Sequence, residues 1–165
     1  MRVTEFFVNL LSFLTDEVIV FIVSMVPLIE LRGSLPVAVL WFDLPPWSAF
    51  LLAYPASLIP APFIILLIRR IFTWLEKITF FKKIIDRVIH RTQEKHHEKI
   101  EKYGYLGLFI IVAIPLPGTG VWSGSLVAAL FQLKFKKALL MIVLGNLVAA
   151  LAIMGIMLGI TSFFS

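Results

Sequence analysis

From Tyr103 to Leu133 the chain runs 31 residues without a charge, and Pro115-Leu-Pro-Gly-Thr-Gly120 stands near the middle of that run. As one helix it would measure roughly 46 Å at about 1.5 Å per residue, well beyond a hydrocarbon core of about 30 Å. The prolines remove backbone donors and clash with the preceding turn, so a single helix is excluded. Cut at the prolines, the run becomes two half-helices, each about half a bilayer deep. Backbone that leaves the helix inside a membrane survives only where protein or enclosed water satisfies its polar groups. A re-entrant hairpin, which enters and leaves by the same face, meets that demand.

A second interruption, Pro27-Leu-Ile-Glu-Leu-Arg-Gly-Ser-Leu-Pro36, lies about 88 residues earlier and shares the Pro-Leu start. Here Val18 to Phe42 divides around Glu30-Leu-Arg-Gly33. The expected hairpin breaks are Pro27, Pro36, Pro115 and Pro117. Broken segments at matching positions of two halves are the best sequence pointer to a transporter's substrate site.

Composition places the chain in a membrane. Of 165 residues 60% are hydrophobic, 15 are Phe, and mean hydropathy is +0.98. A soluble protein of this size could not hide so much apolar side chain. There is no cysteine, which excludes disulfides and thiolate metal sites. The N-terminus lacks a basic stretch followed by a clean apolar core and a small-residue cleavage site, so no removable signal peptide is expected. Two uncharged stretches, Trp47–Ile68 and Ala138–Ser165, read as full spans, the first kinked by Pro55, Pro60 and Pro62.

Ten of the fifteen basic residues lie between Arg69 and Lys102, with five of the ten acids. A basic loop flanked by membrane segments is cytoplasmic under the positive-inside rule. The interleaved acids and apolar flanks argue against nucleic-acid binding. Apolar spacing from Ile71 to Ile89 predicts an amphipathic helix on the inner interface, followed by a polar helix to Lys102. Phe6 to Leu14 would be a second interfacial helix, on the outer side.

The expected fold is an all-α integral membrane inverted repeat in one domain, 1–165. Repeat one covers 16–70, the cytoplasmic linker 71–102, and repeat two 103–165. Each repeat holds a re-entrant hairpin and a full transmembrane helix. Five or six ordinary short helices are the alternative. Short matches support a repeat: Leu58-Ile-Pro-Ala61 with Leu147-Val-Ala-Ala150, Ser57 with Asn146, and Ala38-Val-Leu40 with Ala128-Ala-Leu130.

Glu30 and Arg32 are the ionisable groups of the first hairpin. A charge at mid-bilayer costs about 2.5–3.5 kcal/mol on insertion scales, so such residues pair or line a polar pathway. Two residues apart, they cannot share one helix face. Arg32 could hold an anionic group and Glu30 a coupling proton; alternatively the two form a structural pair that locks the tip. Gly33 and Ser34 follow them. Pro117, Gly118, Thr119, Gly120, Trp122 and Ser123, with Ser125, bring small and hydroxyl side chains and a half-helix N-terminus suited to anions, or else close packing. Asn146 is the strongly polar group of the last span. Gly145, Gly155 and Gly159 would mark a close-packing face. His90, His96 and His97 lack ligand spacing, so no metal and no cofactor is expected, nor an enzyme: no catalytic triad, carboxylate pair or nucleotide site occurs.

The two interrupted motifs, with the polar helix ending Glu101-Lys-Tyr-Gly104, resemble the small multidrug export protein family over nearly the whole chain. They are also distantly similar to DedA/VTT membrane proteins. The first resemblance implies efflux of a small or amphipathic solute. The second implies opposed hairpins and movement of a lipid-carrier phosphate, with Glu30 and Arg32 in the hairpin acid and base positions. The second hairpin lacks any such charge. The expected function is alternating-access export of a small or amphipathic solute, anions among the candidates, at a site between two hairpins, with proton coupling through Glu30 as an option. A lipid flippase or scramblase and a non-transport scaffold are the alternatives. The expected partners are the lipid bilayer, the solute or lipid moved, and further copies of the chain, in the cell membrane.

Overall fold

A computed structural model describes residues 15–75, 104–116 and 118–164. The described residues are helical and contain no strand. They form α1 (Asp16–Ser24), α2 (Glu30–Leu40), α3 (Pro46–Leu58), α4 (Pro60–Leu75), α5 (Gly104–Ala113), α6 (Val121–Leu130) and α7 (Phe135–Phe164). The linker 76–102, its histidines, Phe6–Leu14 and Pro117 lie outside the described residues. Residues 71–75 continue α4.

Two apolar helical stretches, Pro46–Ile71 and Phe135–Gly159, are long enough to cross a membrane. Only 28% and 39% of their most apolar windows are buried, so neither is the core helix of a soluble protein. Their uncovered faces carry Leu51, Phe63, Leu66, Leu67, Leu151 and Ile156. Such surface is stable only against lipid or another apolar partner. The first stretch runs through Pro55 and Pro62 and is interrupted at Ile59, before Pro60. In contrast, α1, α2, α5 and α6 have nine to eleven residues. At about 1.5 Å per residue each reaches roughly half of a 30 Å core.

The chain forms two compact units, 1–59 with 149–165, and 60–148. In the first, α1, α2 and α3 pack on one another. The core joins Val20, Leu31, Leu35 and Ala38 to Ala49 and Ala53 of α3 and to Ala150, Ile153, Met154 and Met157 of α7. Alanines four apart on α3 let helices approach closely without a bulky side chain between them.

In the second unit α5 and α6 form an antiparallel helical hairpin. Gly124, early in α6, sits where an added Cβ would meet Val112 and Leu108 of α5. At the other end the Lys134 N–H, beyond α6, donates to the Tyr105 hydroxyl at 2.9 Å. The start of α7 runs beside α5: Lys137 Nζ lies 5.7 Å from the Tyr105 ring centre, and Gly145 abuts the α5 backbone. A Cβ on Gly145 would come within 2.8 Å of the Phe109 carbonyl oxygen and 2.9 Å of Val112 Cβ.

Local structure recurs along the chain. The long helices begin at Pro46 and Phe135, 89 residues apart, and buried positions Ala49, Ala53, Ala56, Ser57 and Ala61 recur as Ala138, Ile142, Gly145, Asn146 and Ala150 at the same offset. Asp43 and Gln132, the same distance apart, both have φ of 50°. Just beyond, Leu44 donates to the Ala38 carbonyl and Leu133 to the Ala128 carbonyl, each at 3.0 Å. The buried stripe Leu31, Ser34, Leu35, Ala38 returns at Val121, Gly124, Ser125, Ala128.

Three expectations need correction. The first break falls at Met25–Ile29, and Glu30-Leu-Arg-Gly33 forms the first turn of α2. Pro36 is not a break: α2 passes through it, the missing hydrogen bond costing that turn one donor. Gly155 and Gly159 are exposed, with nothing among the described residues within 4 Å of an added Cβ, so their Cα faces mark no close-packing face there.

Candidate functional site

Met25 to Ile29 make a tight reversal around Pro27. The Ile29 and Glu30 N–H groups both donate to the Val26 carbonyl, at 3.1 and 2.9 Å. Glu30 then starts α2 with φ +46°, a left-handed conformation that few non-glycine residues adopt. That departure from helical geometry solves the spacing problem of an i, i+2 pair. Arg32 Nη1 reaches Glu30 Oε2 at 2.9 Å, with the side chains 11% and 4% exposed. The carboxylate also sits in the first turn of α2, at the positive end of the helix dipole.

One turn further, Ser34 is buried against Ser24 of α1, their hydroxyl oxygens 2.6 Å apart. Ser24 Oγ is equally close to the Val20 carbonyl. A hydroxyl has one proton, so when Ser24 donates to Val20 it is Ser34 that supplies the proton between the serines. Gly33 faces Ile29, whose Cγ2 would lie 2.6 Å from an added Cβ. Glu30, Arg32, Gly33 and Ser34 therefore share one tip, and Ser24 completes it. Ser24 was missed; its signal is that it is the one polar residue in Val18–Val26.

The tip of the second hairpin is built from backbone. Pro115 lies in the break after α5, and the Thr119 hydroxyl folds back within reach of the Ile114 and Leu116 carbonyls, at 2.8 and 2.7 Å. Gly118 has φ +84°, and Gly120 has φ +134° with ψ −160°, a region open in practice only to glycine. Gly120 caps α6, whose first N–H groups have no partner inside the helix. Ser123 Oγ donates to the Gly120 carbonyl at 3.2 Å. Trp122 is half-buried beside it, and Ser125 is fully buried. Asn146, also fully buried, follows Gly145 on α7 and so lies level with the end of α5.

Each hairpin thus ends in a helix N-terminus, one opposed by a carboxylate and the other bare of acids. The first carries an ion pair and a serine pair; the second carries neutral donors and carbonyls. A sequence model of the family described as "Putative small multi-drug export protein" matches residues 30–152. The chain belongs to this family. The match opens at Glu30 and takes in Arg32, the α5–α6 hairpin and Asn146. No curated protein and no solved structure matches the chain. With the family and the two uncovered apolar helices, the protein is a membrane protein of the small multidrug export type.

Proposed function

We propose that the chain exports a small amphipathic solute across the cell membrane by alternating access, as a multi-pass inverted repeat whose hairpins are re-entrant. Helices of nine to eleven residues are too short to span, and two such helices joined at a tight break must return to their own side. The basic segment 69–102 is cytoplasmic in this reading. The pathway draws on Glu30, Arg32, Gly33 and Ser34 in the first hairpin. From the second it draws on Pro117, Gly118, Thr119, Gly120, Trp122, Ser123 and Asn146, and the protein works as a homo-oligomer.

The Glu30–Arg32 pair carries the proposal. It is buried, held in a left-handed turn and placed at the reversal of a half-length hairpin. A structural need at that tip is already met by the backbone bonds to Val26 and by the serine pair. An anionic solute group would compete with Glu30 for the Arg32 guanidinium, and a proton taken up by Glu30 would release Arg32 to it. Export over transfer of a lipid diphosphate is favoured by the charge-free run Tyr103–Leu133, which offers no second cation for the added charge.

Flux in proteoliposomes tests this, with anilinonaphthalene sulfonate as anionic probe and ethidium as cationic probe. Arg32→Ala should lower anionic flux by about tenfold or more, the worth of one charged hydrogen bond. Glu30→Gln should abolish the dependence of flux on a pH gradient. Unchanged rates in both variants would refute the roles given to the pair.

A further inference from the structure

The described part of the unit 60–148 contains five cations, Arg69, Arg70, Lys134, Lys136 and Lys137, and no Asp or Glu. All five gather at one end of it. The Arg69 guanidinium donates to the Leu133 carbonyl just beyond α6. The next residue, Lys134, is tied through its N–H to the Tyr105 hydroxyl, and Lys137 stacks over the Tyr105 ring. These contacts bring the end of α4, the start of α5, the end of α6 and the start of α7 to one place. Arg70, Lys136 and Lys137 are exposed there, and the first N–H groups of α7 add to the positive field.

Apolar surface adjoins the cluster: Leu106, Leu130, Phe131 and Leu140 are each about half exposed. The neighbouring chain adds to the net positive charge. Residues 76–103 hold eight Lys and Arg against five Asp and Glu, and are themselves net basic.

We propose that this end of the second hairpin is a binding surface for anionic phospholipid headgroups, whose phosphates are held by Arg70, Lys136 and Lys137. Arg69 and Tyr105 are positioning residues. They fix the 131–137 turn so that the three exposed cations stand together above apolar flanks, the charge pattern of a phosphate over acyl chains. Basic residues gain from an anionic surface only within about a Debye length, so the gathered geometry matters as much as the count.

The test titrates the purified full chain in neutral detergent with phosphatidylglycerol, phosphatidylcholine or soluble glycerol phosphate, reading the thermal unfolding midpoint. Phosphatidylglycerol should raise the midpoint where phosphatidylcholine does not. Its apparent affinity should fall about fivefold for each of Arg70→Gln, Lys136→Gln and Lys137→Gln, and on the order of a hundredfold in the triple variant. Lys136→Arg with Lys137→Arg should retain it. The exposed single variants keep the test available if the triple fails to fold. Equal stabilisation by both lipids would overturn the proposal, as would equal affinity in wild type and the single variants. Stabilisation by glycerol phosphate matching that by phosphatidylglycerol would also overturn it, assigning the cluster to a free anion.

Discussion

Glu30 takes a backbone conformation that costs most side chains about 1 kcal/mol or more, and it does so where burial also penalises its charge. Arg32, 2.9 Å away, helps to offset the cost of the buried charge. Arg32→Met should therefore destabilise by about 3–5 kcal/mol, because it takes the ion-pair partner from a buried carboxylate. Glu30→Gln with Arg32→Met should lose less than Arg32→Met alone. A double-mutant cycle in reversible unfolding from mixed micelles measures this, and additive losses would mean that the pair is not coupled. Ser34→Ala should cost about 1 kcal/mol in the same assay, one hydrogen bond. At this scale the sequence shows which residues are costly to bury, but not their geometry. Glutamate is an ordinary helix former, and nothing in Ile29-Glu-Leu-Arg32 announces a positive φ. Arg69 ends an apolar run, and its partner Leu133 is 64 residues away, so no local pattern reveals the bond.

Helices of the chain are separated by whether their glycines touch backbone. Gly145→Ala pushes a methyl into the Phe109 carbonyl and Val112 Cβ, which cannot rotate aside. It should cost about 1–3 kcal/mol. Gly155→Ala, on the same helix but in open space, should be neutral or stabilising by up to about 1 kcal/mol through helix propensity. Gly124→Ala should fall between them, since it meets the Val112 methyl, the end of a side chain. Thermal unfolding of the three variants checks the order, and equal midpoints for Gly145→Ala and Gly155→Ala would contradict the packing. Existence of the long helices was legible because hydropathy acts locally: both stand where the sequence puts them. Pro36 was misread because a proline's cost can be absorbed inside a helix when neighbouring groups satisfy the freed carbonyl. Gly155 and Gly159 were misread because small-xxx-small spacing defines a stripe without saying which way it faces.

Across the described residues the recurrence at 89 or 90 residues covers turns, buried stripes and the starts of the long helices, where the sequence alone offers only short apolar matches. Physics explains the gap: in lipid many apolar side chains serve equally, so two segments can share burial and backbone conformation with little identity. The proposed topology puts Trp41 outside the cell and Lys136 in the cytoplasm. The chain has no cysteine, so single cysteines can be read cleanly. Trp41→Cys, 79% exposed, should react with an impermeant maleimide from outside the cell, and Lys136→Cys only after permeabilisation. Labelling of both from one side would rule out the inverted arrangement.

The core around α1, α2 and α3 takes Ala150, Ile153, Met154 and Met157 from the far end of α7. A ribosome must therefore deliver residues beyond 149 before that core can close. Until then the nascent first hairpin, with its carboxylate and guanidinium, has to be sheltered by the insertion machinery or remain outside the bilayer interior. Early arrest of translation would leave that apolar core open, a natural target for membrane quality control.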